Sequence, residues 1–249
     1  MSAALTVARP AAGEGKDWIK AGWTWFKQAP VPWMGMTALS FLALMAVASL
    51  PWVGGFLVQV LSPFLVAGYM SAARAAETGE PVTFLHLGAG FAADKRVALA
   101  LMGAIYLAGI LLVDTVVRGL GGESFTQMAQ LASHPAEVDP AQAEAILSAT
   151  LPAMLVGLAL LTPLVMATWF GPALVLFDGF STANGLWWSL WACAVNWRPL
   201  VLYSLLLGVF GVVALLIPFG LGLLVFLPWV LASTYAAYRA IFLPAQGSA

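Results

Sequence analysis

The chain has 249 residues, of which 62% are hydrophobic and only 8% charged, and its mean hydropathy is +0.94. Soluble domains carry about 25% charged residues, so this composition excludes an ordinary soluble protein. A net charge of −1 gives no electrostatic footprint for nucleic acid, and a single cysteine, Cys193, excludes an intramolecular disulfide or a CxxC metal or redox pair.

Residues 1–15 are small, polar and rich in Ala and Pro, which predicts a disordered cytoplasmic tail. From Lys16 the pattern changes. Trp18, Ile19, Gly22, Trp25, Phe26 and Ala29 fall on one helical face, and Lys16, Lys20, Thr24 and Lys27 on the other. This spacing predicts an amphipathic helix lying in the inner-leaflet interface, its lysines toward anionic phospholipid headgroups.

A membrane-crossing helix needs about 20 mostly apolar residues. Such stretches lie near 31–50, 52–73, 97–117, 151–176, 199–217 and 219–242. Leu50-Pro51-Trp52 separates the first two and Ile217-Pro218-Phe219 the last two; a proline-marked turn is required, because an uninterrupted segment would be twice too long. Ala46-Val47-Ala48 imitates a signal-peptidase site, but the roughly 30 residues before it are too long for a basic leader, so the first span stays uncleaved.

With the N-terminus inside, nine of the ten basic residues (Arg9, Lys16, Lys20, Lys27, Arg74, Lys95, Arg96, Arg198 and Arg239) fall on the cytoplasmic side, and Arg118 alone outside. This positive-inside bias predicts an inner-membrane protein with both termini cytoplasmic. Between the third and fourth spans, residues 118–150 form an acidic outer loop with Glu123, Glu137, Asp139 and Glu144. Ser124-x-x-Gln127 reads as a capping box opening a short helix through Ser133, and Asp139-Pro140 as the start of a second.

Eight of the eleven tryptophans (Trp18, Trp23, Trp25, Trp33, Trp187, Trp188, Trp191 and Trp197) precede a span on the inner side, as an aromatic belt does. They fall in interfacial segments before the first and fifth spans; a weaker segment, Phe84 to Phe91, precedes the third. The stretch from Pro63 to Ala75 aligns without gaps on Pro228 to Ala240, matching the proline, three alanines and Arg74 with Arg239. The predicted fold is therefore all-α, a single six-helix membrane domain over 16–242 made of three hairpins. Each hairpin is preceded by a cytoplasmic interfacial amphipathic helix, and residues 243–249 form a cytoplasmic tail.

Few side chains are candidates for chemistry. Asp114 is the only carboxylate inside a predicted span and pairs with Arg118 at i,i+4, either as an interfacial ion pair or as a relay. Arg74 and Arg239 end the second and sixth spans, where they either snorkel or clamp a lipid phosphate. Asp178 reads as a turn residue and His86 and Cys193 as packing residues, while His86 and His134, in separate polar loops, are too few for a metal site. Pro63, Pro163, Pro172 and Pro228 lie within spans and should kink them or free carbonyls. HExxH, Gly-x-Ser-x-Gly, a P-loop and paired intramembrane aspartates are all missing from the sequence, so no catalytic, metal or cofactor site is expected.

The Gly22-Trp23-x-Trp25-Phe26-Lys27-x-Ala29-Pro30-x-x-Trp33 opening, the Pro63-x-x-x-Ala67-Gly68 stretch, the Gly79-Glu80-Pro81 loop with Leu85, Gly90 and Phe91, and Asn196-Trp197-Arg198-Pro199 carry a resemblance. Over residues 16–242 the chain resembles an uncharacterised family of proteobacterial six-helix inner-membrane proteins. More distantly it is similar to the membrane domain fused to some glycerophosphodiester phosphodiesterases. The resemblance implies location and topology, not an activity. The expected function is non-enzymatic, an interaction with lipids or a membrane-protein partner at the cytoplasmic leaflet. The alternative is a small transporter or lipid carrier with a cavity among three pseudo-repeated hairpins, near Gln59, Asp114 and Thr162.

Overall fold

The computed structural model describes residues 6–133 and 139–243. All regular structure in them is helical. In chain order the helices are α1 (Gly15–Gln28), α2 (Pro30–Ala48), α3 (Gly54–Thr78), α4 (Arg96–Gly121), α5 (Glu123–Ser133), α6 (Pro140–Trp169), α7 (Gly171–Asp178), α8 (Thr182–Val195), α9 (Trp197–Leu215) and α10 (Leu221–Phe242). A short 3-10 segment, Phe84–Phe91, precedes α4. Six helical stretches are long and apolar enough to cross a membrane, namely Pro30–Ala48, Gly54–Thr78, Arg96–Gly121, Ala143–Asp178, Trp197–Leu215 and Pro218–Phe242. The shortest, 19 residues, spans about 28 Å at 1.5 Å per residue, close to the hydrocarbon thickness. His134 and Glu137 lie outside the described residues.

The chain divides into two compact units, one built from residues 1–104 and 166–249 and the other from residues 105–165. In the first unit, tight turns at Ser49–Val53 and Leu216–Gly220 join α2 to α3 and α9 to α10. Each turn places an aromatic residue after a proline at positive φ, Trp52 at 67° and Phe219 at 60°. Both rings project almost fully from the protein. Within each helix pair a tyrosine ties the two together. Tyr69 of α3 donates to Thr37 of α2 at 3.1 Å, and the Tyr203 hydroxyl of α9 bonds Ser233 and Thr234 of α10 at 2.7 and 3.0 Å. Bonds of this kind hold apolar helices in register where lipid gives no hydrophobic drive for association.

Helix α1 does not turn its apolar side to lipid. Trp18, Ile19, Gly22 and Phe26 are buried against protein. The Trp229 indole of α10 donates to the Ile19 carbonyl at 2.9 Å. At Gly22 the approach is so close that a Cβ would stand 2.5 Å from the Ser233 backbone nitrogen. The expectation that this face lies in the leaflet is therefore corrected. An apolar face is satisfied equally by acyl chains or by an apolar helix, and α10 admits α1 closely where Gly22 meets the buried Ser233. The tryptophan belt divides accordingly: Trp18 and Trp33 are core, while Trp187, Trp191 and Trp197 are exposed.

The tail expected over residues 1–15 is, in its described part, a docked strap. Ala8 donates its N–H to the Ile241 carbonyl at 2.8 Å, and its own carbonyl accepts from the buried Asn196 amide at 3.1 Å. These bonds satisfy an extended backbone whose small side chains allow close approach.

Of the span prolines, Pro63, Pro163 and Pro228 lie inside continuous helices. Only at Gly171-Pro172 does the helix break, between α6 and α7. Ser189 of α8, fully buried, donates to the Met166 carbonyl at 2.7 Å and accepts from the Phe170 N–H at 2.9 Å. One hydroxyl thus replaces helix bonds lost at the break.

In the second unit, Leu164 packs over Gly109, and Val117 over Gly157, so the α4 and α6 segments run antiparallel through small residues. Asp139 accepts from the Ala141 N–H at 3.1 Å and caps α6, as its sequence predicts. Helix α5 begins one residue before Ser124, whose hydroxyl donates to the Gly121 carbonyl rather than capping the helix start.

Candidate functional site

The C-terminal ends of α3, α7 and α10 converge on one cavity of 480 Å³. Helical spacing loads each wall. Arg74, Glu77 and Thr78 share a face at the end of α3, while Tyr235, Tyr238 and Arg239 share one on α10 at i,i+3,i+4. Helix α7 stops at Asp178 because Gly179 takes a left-handed φ of 68°, which leaves Phe177 and Asp178 at the rim.

The charged groups are held in two sets. Glu77 forms an ion pair with Arg239, and its second oxygen accepts from the Tyr235 hydroxyl at 2.8 Å. Asp178 accepts from the Tyr238 hydroxyl at 2.6 Å. Arg74 lies over the Phe177 ring at 5.1 Å from its centroid, a cation–π contact. Phe177 in turn meets Tyr235 and Tyr238 at 5.8 and 5.7 Å between centroids. Two cations and two carboxylates leave the cluster neutral, with its polar atoms fixed on an aromatic floor.

The sequence picked out Arg74 and Arg239, and the structure brings both to this cavity. Glu77, Tyr235 and Tyr238 escaped notice, although each sits one helical turn from an arginine or beside it. Asp178, read as a turn residue, is a hydrogen-bonded wall of the cavity. Lys16, Lys20 and Lys27 stand elsewhere, exposed on the outer side of α1, with Lys20 3.2 Å from Asp17. Asp114 and Arg118 belong to the second unit and form an exposed ion pair in which the Arg118 Nε–H is shared between both Asp114 oxygens, at 2.9 and 2.8 Å. Thr162 donates to the Leu158 carbonyl of its own helix at 2.7 Å. Among the described residues no group of three or more His, Cys, Asp or Glu side chains could hold a metal ion. His86 is tied to Ser71 at 3.3 Å and lies 3.4 Å from the Pro81 carbonyl. Cys193, beside α9 in sequence but outside the spans, has its thiol pushed up to about 12 by burial, which keeps it protonated and unreactive.

Six apolar helices of crossing length make this chain a multi-pass integral membrane protein. It is 27% identical over 248 residues to a probable inner membrane protein of Burkholderia thailandensis, a match covering 92% of this chain and 90% of that protein. The protein is accordingly one of the inner membrane. No family model matches the sequence. No solved structure matches it either.

Proposed function

We propose that this is a non-enzymatic inner-membrane protein, both termini cytoplasmic, that gathers anionic phospholipid at the cytoplasmic leaflet through the outer side of α1. The carrying observation is the exposed stripe Lys16, Lys20, Trp23 and Lys27. At 100° per residue these four positions lie within about 60° of one another. Because the opposite face is locked onto α10 and the Trp23 ring rests against Trp229 of that helix, the three lysines are held outward as a fixed basic ridge with one half-exposed tryptophan at its edge. Cationic side chains beside a tryptophan suit an anionic interface, each charge contributing about 1 kcal/mol near such a surface. The basic-residue asymmetry supports the same orientation, and the aromatic motifs support kinship with the membrane domain fused to some glycerophosphodiester phosphodiesterases.

The test is lipid mass spectrometry on protein purified in native lipid particles. The triple variant Lys16→Glu, Lys20→Glu, Lys27→Glu should lose most of its enrichment in phosphatidylglycerol over phosphatidylcholine. Enrichment equal to the wild type would overturn the reading, as would a specific copurifying protein in place of the lipid. A reporter fused to either terminus should be active only in the cytoplasm.

A further inference from the structure

We propose that the cavity between the ends of α3, α7 and α10 binds a phosphate–ammonium zwitterion, the chemistry of a phosphoethanolamine headgroup. This site is separate from the α1 stripe and uses none of its residues.

Two groups in the cavity have capacity to spare. Among the described residues the Arg74 guanidinium makes no hydrogen bond or ion pair; its partner is the Phe177 ring at 5.1 Å. Its N–H donors are therefore available to a bound oxyanion, in the planar fork that phosphate accepts. Asp178 uses Oδ2 for the Tyr238 hydroxyl at 2.6 Å, while Oδ1 has no hydrogen-bond partner among the described residues. The two charges attract one another across the cavity without closing into an ion pair. A ligand carrying an anion and a cation a few bonds apart bridges that gap, giving its phosphate to Arg74 and its ammonium to Asp178.

The surroundings select for both charges together. Arg239 and Glu77 already neutralise one another, so the working pair is Arg74 and Asp178, with no net charge. A purely anionic headgroup would satisfy Arg74 but face the Asp178 carboxylate. A purely cationic one would meet the reverse conflict. The ammonium end would also lie near the aromatic floor of Phe177, Tyr235 and Tyr238, whose ring faces favour cations. It would face the C-termini of three helices, where the backbone dipoles end in partial negative charge. The volume of 480 Å³ lies in the roughly 300–1,000 Å³ range of small-ligand sites. Because α3 and α10 are both spanning helices, the cavity opens at a membrane boundary. A headgroup can enter there with its acyl chains still in the bilayer.

The experiment is native mass spectrometry of the delipidated full chain titrated in detergent with phosphatidylethanolamine, phosphatidylglycerol or phosphatidylcholine, with calorimetry using free phosphoethanolamine as the water-soluble arm. The wild type should bind phosphatidylethanolamine at least about 10-fold more tightly than phosphatidylglycerol, which has no ammonium, the scale of one charge-assisted hydrogen bond. It should also bind it more tightly than phosphatidylcholine, whose methylated ammonium cannot donate to Asp178. Asp178→Asn keeps an acceptor for Tyr238 and should erase the preference over phosphatidylglycerol. Arg74→Gln should weaken all three lipids. If free phosphoethanolamine binds with the same dependence on Arg74 and Asp178, the ligand is the soluble zwitterion; if only the lipid binds, it is the headgroup in the membrane. Equal wild-type affinity for the three lipids would overturn the proposal, and that comparison requires no variant to fold. So would a preference that survives Asp178→Asn, or absence of binding by every probe. The triple lysine variant should retain selectivity for phosphatidylethanolamine, so failure at the stripe and failure at the cavity are distinguishable.

Discussion

Gly22→Ala is the smallest change that tests whether α1 is held by protein or by lipid. The new methyl would sit 2.5 Å from the Ser233 nitrogen and 2.7 Å from its Cα. Since these are backbone atoms on a packed helix, α1 must move out by about 1 Å to reach ordinary contact. A radial gap of about that size forfeits a quarter to a half of each dispersion contact across the interface. The contacts at stake include Trp23 on Trp229 at 5.1 Å and Trp25 on Tyr235 at 5.6 Å between centroids. The Trp229 bond to the Ile19 carbonyl, 2.9 Å in the native packing, would stretch past bonding range. Overpacking of this kind costs about 1–3 kcal/mol and a lost bond about 1, against a gain of about 1 from helix propensity. The net loss is about 1–3 kcal/mol, roughly a 5- to 150-fold shift toward an undocked α1. Hydrogen exchange in lipid nanodiscs reads this directly: amides of residues 15–28 should exchange faster by that factor, while the middle of α10 stays unchanged. Gly55→Ala is the control, because a Cβ there meets nothing within 4 Å, and it should be neutral or slightly stabilising. If Gly22→Ala leaves α1 protection at the wild-type level, the close α1–α10 contact is refuted and the helix belongs to the leaflet.

Two further outcomes follow from buried polar groups. Ser189→Ala removes the hydroxyl that serves both sides of the α6–α7 break, leaving the Phe170 N–H without its partner; it should cost about 1–3 kcal/mol and lower the melting temperature in detergent. Tyr203→Phe should cost less, about 0.6 kcal/mol, because Ser233 and Thr234 keep their bonds to the Val230 carbonyl at 2.8 and 2.9 Å; a larger loss than Ser189→Ala would refute that ranking. Cys193 should resist maleimide at pH 8 in the folded protein and react fully after denaturation. With its thiol pushed up to about 12 by burial, the thiolate fraction at that pH is on the order of 10⁻⁴, whereas an exposed thiol near pKa 8.5 is partly ionised. Rapid labelling of the native protein would contradict the burial of α8 against Met166.

The sequence by itself determined the membrane class and the number of crossing helices, because run length and hydropathy are local properties that no distant contact can alter. It also placed the turn at Pro51-Trp52 and its counterpart at Pro218-Phe219, since proline removes a donor wherever it stands. The apolar stripe of α1 was visible too, but its partner was not: acyl chains and an apolar helix satisfy that stripe alike, and only tertiary structure chose α10. The cavity was half visible. Arg74 and Arg239 stood out through an internal repeat, yet the pairing of Arg239 with Glu77 and of Tyr238 with Asp178 joins residues far apart in the chain. Helix spacing fixes which side chains share a face of one helix; which faces meet is decided by packing across all of them.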